Sequence, residues 1–508
     1  MTESKYFAYH PPSRSGRFGS SLLTVALLTT IGAAIPVGYN IGVINSPANF
    51  IQDWCNETIY STYGTRLTSS GMNILWSAIV SIFVIGGAIG SLGGSWLSDI
   101  LGRKGCFLLS GALLVIGAVL FQFCRLAESV EMLMIGRIIV GLGSGLVTAS
   151  LPIYHTELAP LALRGTVGVF CSIGVTAGVV VGQILSLKYT FGTEDSWHHA
   201  LSAYAILIVI CYLPCKWFPE SPKYLYLIKG NHSLAESVLM KLRGTDPETV
   251  ELELKEMEND RKEKSMSRSL RSVLTDYSLL LPIVIVCTFQ GGQQLSGINA
   301  VFYYSVTIFQ EAGLQKDDAE WANLGAGSLN LLTAFFTPLI MAKINRRPVM
   351  LTSTFASAIA LFALTFIIHY INAASWLPMA CIVCVLLYIL FYQIGIGPIP
   401  YFIGSEIVNT ESRPAVMALG SLASWSCNFA VAMLFPTLQA AWGAFVFLPF
   451  FIDCVVLFLI TKFYLPETRG RDSSEIAPLI SKVLPISYKT GAMKLSTTRT
   501  ARICQAVI

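Results

Sequence analysis

Hydrogen-bonding side chains recur in this chain where they are costly, inside long apolar runs. Gln293 and Gln294 follow the apolar stretch 279–289, and Asn299 comes five residues after Gln294. An amide in hydrocarbon is unfavourable unless something bonds it, and a ligand hydroxyl could be that partner. Each amide offers both a donor and an acceptor. On a straight helix Gln294 and Asn299 would point about 140° apart, at roughly 100° per residue. A break near Ser296-Gly297 would turn both toward one cavity, and unwound backbone is tolerated inside a membrane where it lines such a cavity. Gln183, in a stretch with Gly178 and Gly182, is a further intramembrane amide that serves either a ligand or a neighbouring helix.

A second set of groups is charged and repeats. Glu157 stands seven residues before Arg164, and Glu406 seven before Arg413. Asp99-Ile-Leu-Gly-Arg103-Lys104 answers Lys343-Ile-Asn-Arg346-Arg347, and Pro219-Glu-Ser-Pro answers Pro466-Glu-Thr-Arg. Three matched pairs in the same order mark an internal duplication. Glu157, Arg164, Glu406 and Arg413, with Arg103 and Arg347 beside them, are expected to form a latch between two bundles that is broken when one side opens. The alternative is a set of snorkelling anchors at the membrane surface.

The elements that must position these groups follow from composition. The chain has 508 residues, 54% of them hydrophobic and 13% charged, with a mean hydropathy of +0.62. The bilayer suits it better than water. Apolar runs near the roughly 20 residues that a spanning helix needs predict spans at 20–44, 71–98, 104–124, 131–155, 165–189 and 198–218. A second set is predicted at 277–310, 320–343, 349–371, 377–405, 413–438 and 441–464. The expected class is an all-α membrane protein of twelve transmembrane helices in two pseudo-symmetric six-helix bundles. The parts are a segment 1–19, a bundle 20–218, a polar and partly helical connector 219–276, a bundle 277–464 and a tail 465–508.

Arg103, Lys104, Arg164, the connector, Arg346, Arg347, Arg413, Arg469 and Arg471 fall in alternate loops. The positive-inside rule places these loops and both termini in the cytoplasm. Of two sequons, Asn56-Glu-Thr lies in an outer loop and Asn231-His-Ser in the connector, so only Asn56 is expected to be glycosylated. The first apolar stretch outruns a signal-peptide core, which predicts a retained helix. The net charge of +4 requires no nucleic-acid partner. Twelve scattered Cys read as buried thiols, with metal spacing only at Cys381 and Cys384. A phosphate loop, paired catalytic carboxylates and a Ser/His/Asp set are missing from the sequence, so neither an ATP-driven pump nor an enzyme is expected, and no cofactor.

These strings resemble the sugar-porter branch of the major facilitator superfamily over about residues 20–475. Gly292-Gln-Gln-Leu-Ser-Gly-Ile-Asn-Ala-Val-Phe-Tyr-Tyr304 resembles the animal facilitative glucose transporters. Gly38-Tyr-Asn40, Gly136-Arg137 with Gly141, Pro152-Ile-Tyr154, Gly397-Pro-Ile-Pro400 and Trp425-Ser-Cys-Asn428 match as well. The resemblance implies that Gln293, Gln294, Asn299, Asn330 and Glu406 line or adjoin a hexose site. For Asn330 the alternative is an interhelical hydrogen bond. Trp425, in mid-span, is expected to stack on the C–H face of the sugar. Tyr401 stands where many glucose carriers have Trp, Ser172 where they have Gln, and Ser424 replaces an Asn; these changes leave the preferred hexose open.

Proton-coupled relatives keep an Asp after Gly-Tyr in span one, where this chain has Asn40. An amide does not titrate, so the expected activity is passive uniport of a hexose, D-glucose first, across the plasma membrane. Two rivals are a carrier for fructose or another hexose, and a sugar receptor that signals without transporting.

Overall fold

The structure is a computed structural model describing residues 20–160, 163–243, 250–251, 253–255, 257–258, 268–409, 411–469 and 476, without the side chains of Ser95, Arg164 and Gly165. Most of the tail, the segment 1–19 and part of the connector therefore lie outside the described residues. So does the side chain of Arg164.

Among the described residues every regular element is helical. Eleven stretches are long and apolar enough to cross a membrane. The last of them, Arg413–Tyr464, divides into two helices at Gly443, whose φ is +55°. Six spans therefore precede the connector and six follow it.

The first half comprises α1 (Ser20–Gly42), a helix α2 between the first two spans (Ala48–Tyr63), α3 (Ser69–Phe123), α4 (Val130–Leu158), α5 (Arg164–Leu185) and α6 (Trp197–Trp217). α3 is two spans, because the chain leaves helical geometry at Gly102, with φ +83° and ψ 170°. Glycine reaches that region without strain, and Glu220 and Tyr224 fill the space a side chain would need.

The connector contributes the short helices α7 (Pro222–Leu227), α8 (His232–Arg243) and α9 (Leu270–Leu274). The second half comprises α10 (Leu280–Leu295) with α11 (Ile298–Glu311), then α12 (Lys316–Lys343), α13 (Arg346–His369), α14 (Leu377–Ile394) with α15 (Ile399–Ile407), α16 (Arg413–Trp442) and α17 (Leu448–Tyr464).

Large apolar side chains remain exposed on the outward faces, among them Ile206, Leu332, Ile359 and Ile452. In water such a surface would aggregate; against lipid tails it is satisfied. Polar groups turn inward instead, so what distinguishes the interior is hydrogen bonding as much as burial.

The two halves are hydrogen-bonded to each other at one end. Asn45 Nδ2 donates to Ser305 Oγ at 2.7 Å and to the Phe302 carbonyl at 3.2 Å. Gln183 Nε2 donates to Asn323 Oδ1 at 2.7 Å, and Lys188 pairs with Asp317. That pairing holds the Lys188 ammonium above its ordinary range. Deeper in the bilayer Ser81 meets Met433, and Trp425 of α16 packs on Gly87 of α3. Among the described residues no hydrogen bond or ion pair joins the two bundles at the connector end.

Candidate functional site

Two spans of the second half break at similar depth, and the breaks build the site. In the first, α10 stops at Leu295 and Gly297 adopts φ +92° before α11 begins. A side chain at Gly297 would collide with Phe450, so glycine is required both for the turn and for the packing. Tyr388 of α14 anchors the break, its hydroxyl donating to the Ser296 carbonyl at 2.9 Å. The second break, 395–398, separates α14 from α15 and leaves backbone carbonyls free of helical bonds.

The breaks bring the amides together. Gln293 Nε2 donates to the freed carbonyl of Gly397. Gln294 Nε2 donates to Ser424 Oγ at 2.9 Å, while its Oε1 accepts from Asn299 Nδ2. The turn at Gly297 thus does what a straight helix could not, placing Gln294 and Asn299 in contact. Gln293 is 1% exposed and Gln294 is 8% exposed.

Tyr401 lies beside Gln293 and is 60% exposed. Asn330 of α12 is buried, and its Oδ1 has no hydrogen-bond partner. An acceptor left in that condition costs about 1–3 kcal/mol, which a ligand hydroxyl would recover.

Three further groups belong here. Gln393 ends α14 with its Oε1 beside Gly397. Asn428 of α16, one turn from Trp425, has a buried Oδ1 without a partner. Ser424 orients Gln294. Gln393 carries the same signal as Gln293, an amide closing an apolar run just before a glycine-rich break, and that signal could have found it.

Two predicted site residues have partners outside this amide group. Gln183 is taken up by Asn323 across the interface, the neighbouring-helix alternative. Glu406 lies nine residues past Gly397 along α15, about 13 Å at 1.5 Å per residue, and joins the charged cluster at the connector end. There Arg346 Nη2 meets Glu406 Oε1 at 3.3 Å, and Thr468 Oγ1 donates to Glu406 Oε2.

The connector-end clusters obey the internal duplication closely. In the first half Arg103 Nε donates to Glu157 Oε2 at 2.8 Å, Ser221 Oγ donates to Glu157 at 2.5 Å, and Glu220 accepts the backbone N–H of Arg103 and Lys104. In the second half Arg346 takes the place of Arg103, Thr468 that of Ser221, and Glu467 accepts the backbone N–H of Arg346 and Arg347. The partner of Glu406 is therefore Arg346. Arg347 instead donates to the Lys462 carbonyl, and Arg413 to the Val408 carbonyl. Each cluster is closed within its own half, so in this state the groups do not bridge the bundles as expected.

The sequence model of the sugar (and other) transporter family matches residues 25–479. Facilitated glucose transporter member 5 of solute carrier family 2 from Equus caballus is 32% identical, over 94% of this chain and 95% of its own. Member 3 of the same family from Ovis aries is 37% identical, over 90% of this chain and 92% of its own. Among solved structures, the xylose transporter XylE from E. coli in a partially occluded inward-open conformation superposes with a TM-score of 0.73, at 22% identity and over 89% of this chain and 100% of that one. The fold is thus that of the major facilitator superfamily. By its motifs, its duplicated halves and these matches, the chain belongs to the sugar (and other) transporter family.

Proposed function

We propose that this protein carries a hexose, D-glucose in the first place, passively across the plasma membrane by alternating access. The observation that carries the reading is the set of uncharged amides at the two helix breaks. Gln293, Gln294, Asn299 and Gln393 meet there, with Asn330 and Asn428 offering unpartnered acceptors. Neutral donors and acceptors packed side by side suit a neutral polyhydroxylated solute and give a charged one no counter-ion. Trp425 and Tyr401 add aromatic surface for the sugar's C–H face. The relatives named as facilitated glucose transporters, at 32% and 37% identity, support the same reading.

The excess of Arg and Lys at the connector end favours a cytoplasmic location for that end and for both termini. The Asn45 end then faces outward and is shut, while the exposed side of Tyr401 is open to the inward end. Rocking of the halves would part the Asn45, Gln183 and Lys188 bonds and bring the Arg103 and Arg346 clusters toward each other. Asn40 in span one cannot exchange a proton, so net flow follows the sugar gradient.

Fructose is the second reading, because Tyr401, Ser172 and Ser424 alter the groups that would touch the sugar. A receptor without transport is a third. Uptake of labelled hexoses into proteoliposomes, with glucose and fructose as competitors, separates the three. Saturable glucose uptake blocked best by glucose supports the proposal; fructose winning that competition, or binding without uptake, overturns it.

A further inference from the structure

The shut seam at the Asn45 end holds more polar groups than its closing bonds use. Ser46 Oγ, Gln183 Oε1, Glu320 Oε1 and Asn323 Nδ2 are buried there without hydrogen-bond partners. Their residues are 4%, 1%, 3% and 1% exposed. They belong to one network: Asn323 Oδ1 accepts from Ser305 Oγ at 2.6 Å and from Gln183 at 2.7 Å, and Ser305 accepts from Asn45, the neighbour of Ser46. Glu320 precedes Asn323 by one turn of α12 and lies beside the Lys188 main chain. Lys316, over the Phe50 ring at 3.8 Å, and the Lys188–Asp317 pair form the rim.

A surface that only sealed the mouth would be better apolar, because buried polar groups without partners disfavour closure. The unmet donor and acceptors gain partners only when the halves part. A carboxylate, an amide and a hydroxyl close together on α12 and α11 are then offered to whatever enters, and this combination binds vicinal hydroxyls by accepting and donating at once. Asn323 stands seven residues from Asn330 on the same helix, about 10 Å along the axis, so the group is separate from the central amides.

We propose that Glu320, Asn323 and Ser305 form a second hydroxyl-binding subsite for sugar at the outer mouth, present only while that end is open. The proposal rests on the hexose reading and orientation given above. A sugar held on Asn323 stands where Gln183 must dock, so it opposes closure. High external sugar should therefore slow the carrier, whereas high internal sugar should not.

The test is initial uptake of labelled D-glucose by cells expressing the full chain, at external glucose rising far above half-saturation. Efflux from glucose-loaded cells into sugar-free medium is measured alongside. Uptake is expected to rise and then fall, while efflux rises to a plateau. In Asn323→Leu and in Ser305→Ala the fall should begin at roughly two- to twelve-fold higher glucose, the loss of one hydrogen bond. Ser305→Ala removes a single oxygen and serves if Asn323→Leu does not reach the membrane. An uptake curve that saturates without falling, a fall unmoved in the variants, or an equal fall in efflux overturns the subsite. A chain that takes up no hexose at any concentration overturns the transport reading itself.

Discussion

Arg137 of α4 donates from Nη1 to the main-chain carbonyl of Asn40 in α1, at 3.0 Å. The same guanidinium bonds the Ile79 and Val80 carbonyls and lies over the Phe83 ring at 4.7 Å. Both residues are fully buried. The cation is thus held by carbonyl dipoles and an aromatic face, while Asn40 Nδ2 turns back to the Pro36 carbonyl and its Oδ1 stays unpartnered. An amide at position 40 carries no proton that titrates.

Uniport is the first expectation from this arrangement. In sealed proteoliposomes an inward proton gradient should not concentrate D-glucose above equilibrium. Accumulation that a protonophore abolishes would refute passive transport. Asn40→Asp introduces a titratable carboxyl in span one, and partial proton-driven accumulation is expected in that variant alone.

Removal of one amide from the central cluster should weaken sugar binding without unfolding the protein. Gln293→Ala and Asn299→Ala each delete a hydrogen-bonding partner worth about 0.5–1.5 kcal/mol, or roughly two- to twelve-fold in the dissociation constant. Calorimetric titration of the purified variants with D-glucose reads the change. Unaltered affinity in both would remove them from the site.

Arg346 and Arg347 are neighbours with different partners, so they should behave differently. Arg346→Ala leaves Glu406 half-buried without its cation and should lower stability by about 1–3 kcal/mol. Arg347→Ala loses a carbonyl contact at the surface and should cost about 0.5 kcal/mol or less. Thermal unfolding in detergent decides the matter, and equal losses would show that the Glu406 pair has no special weight.

Asn56 should carry glycan and Asn231 should not. Asn56 lies on α2 at the Asn45 end, whereas Asn231 accepts the backbone N–H of Leu234 at the start of α8 in the connector. Glycosidase treatment is expected to shift the parent and Asn231→Gln on a gel but leave Asn56→Gln unmoved. A shift that persists in Asn56→Gln would reverse the assignment of sides.

The sequence by itself determined the large plan: the spans from run length, the duplication from the matched acids and arginines, and the break at Ser296-Gly297 from two amides that had to face one cavity. Those features depend on local composition and spacing, to which the bilayer responds residue by residue. Partner choice was decided only by the tertiary structure. Gln183 carries the same local signature as the amides of the site, yet it joins Asn323, and Glu406 joins Arg346, because depth along a helix and the face of a neighbouring bundle are not written in the residues nearby. Arg346 rather than Arg347 meets Glu406 for a similar reason: the start of α13 fixes which of two adjacent arginines points inward. Gln393 joined the cluster only when the second break placed it beside Gly397, whose carbonyl Gln293 of α10 reaches, and no periodicity along either helix encodes that meeting.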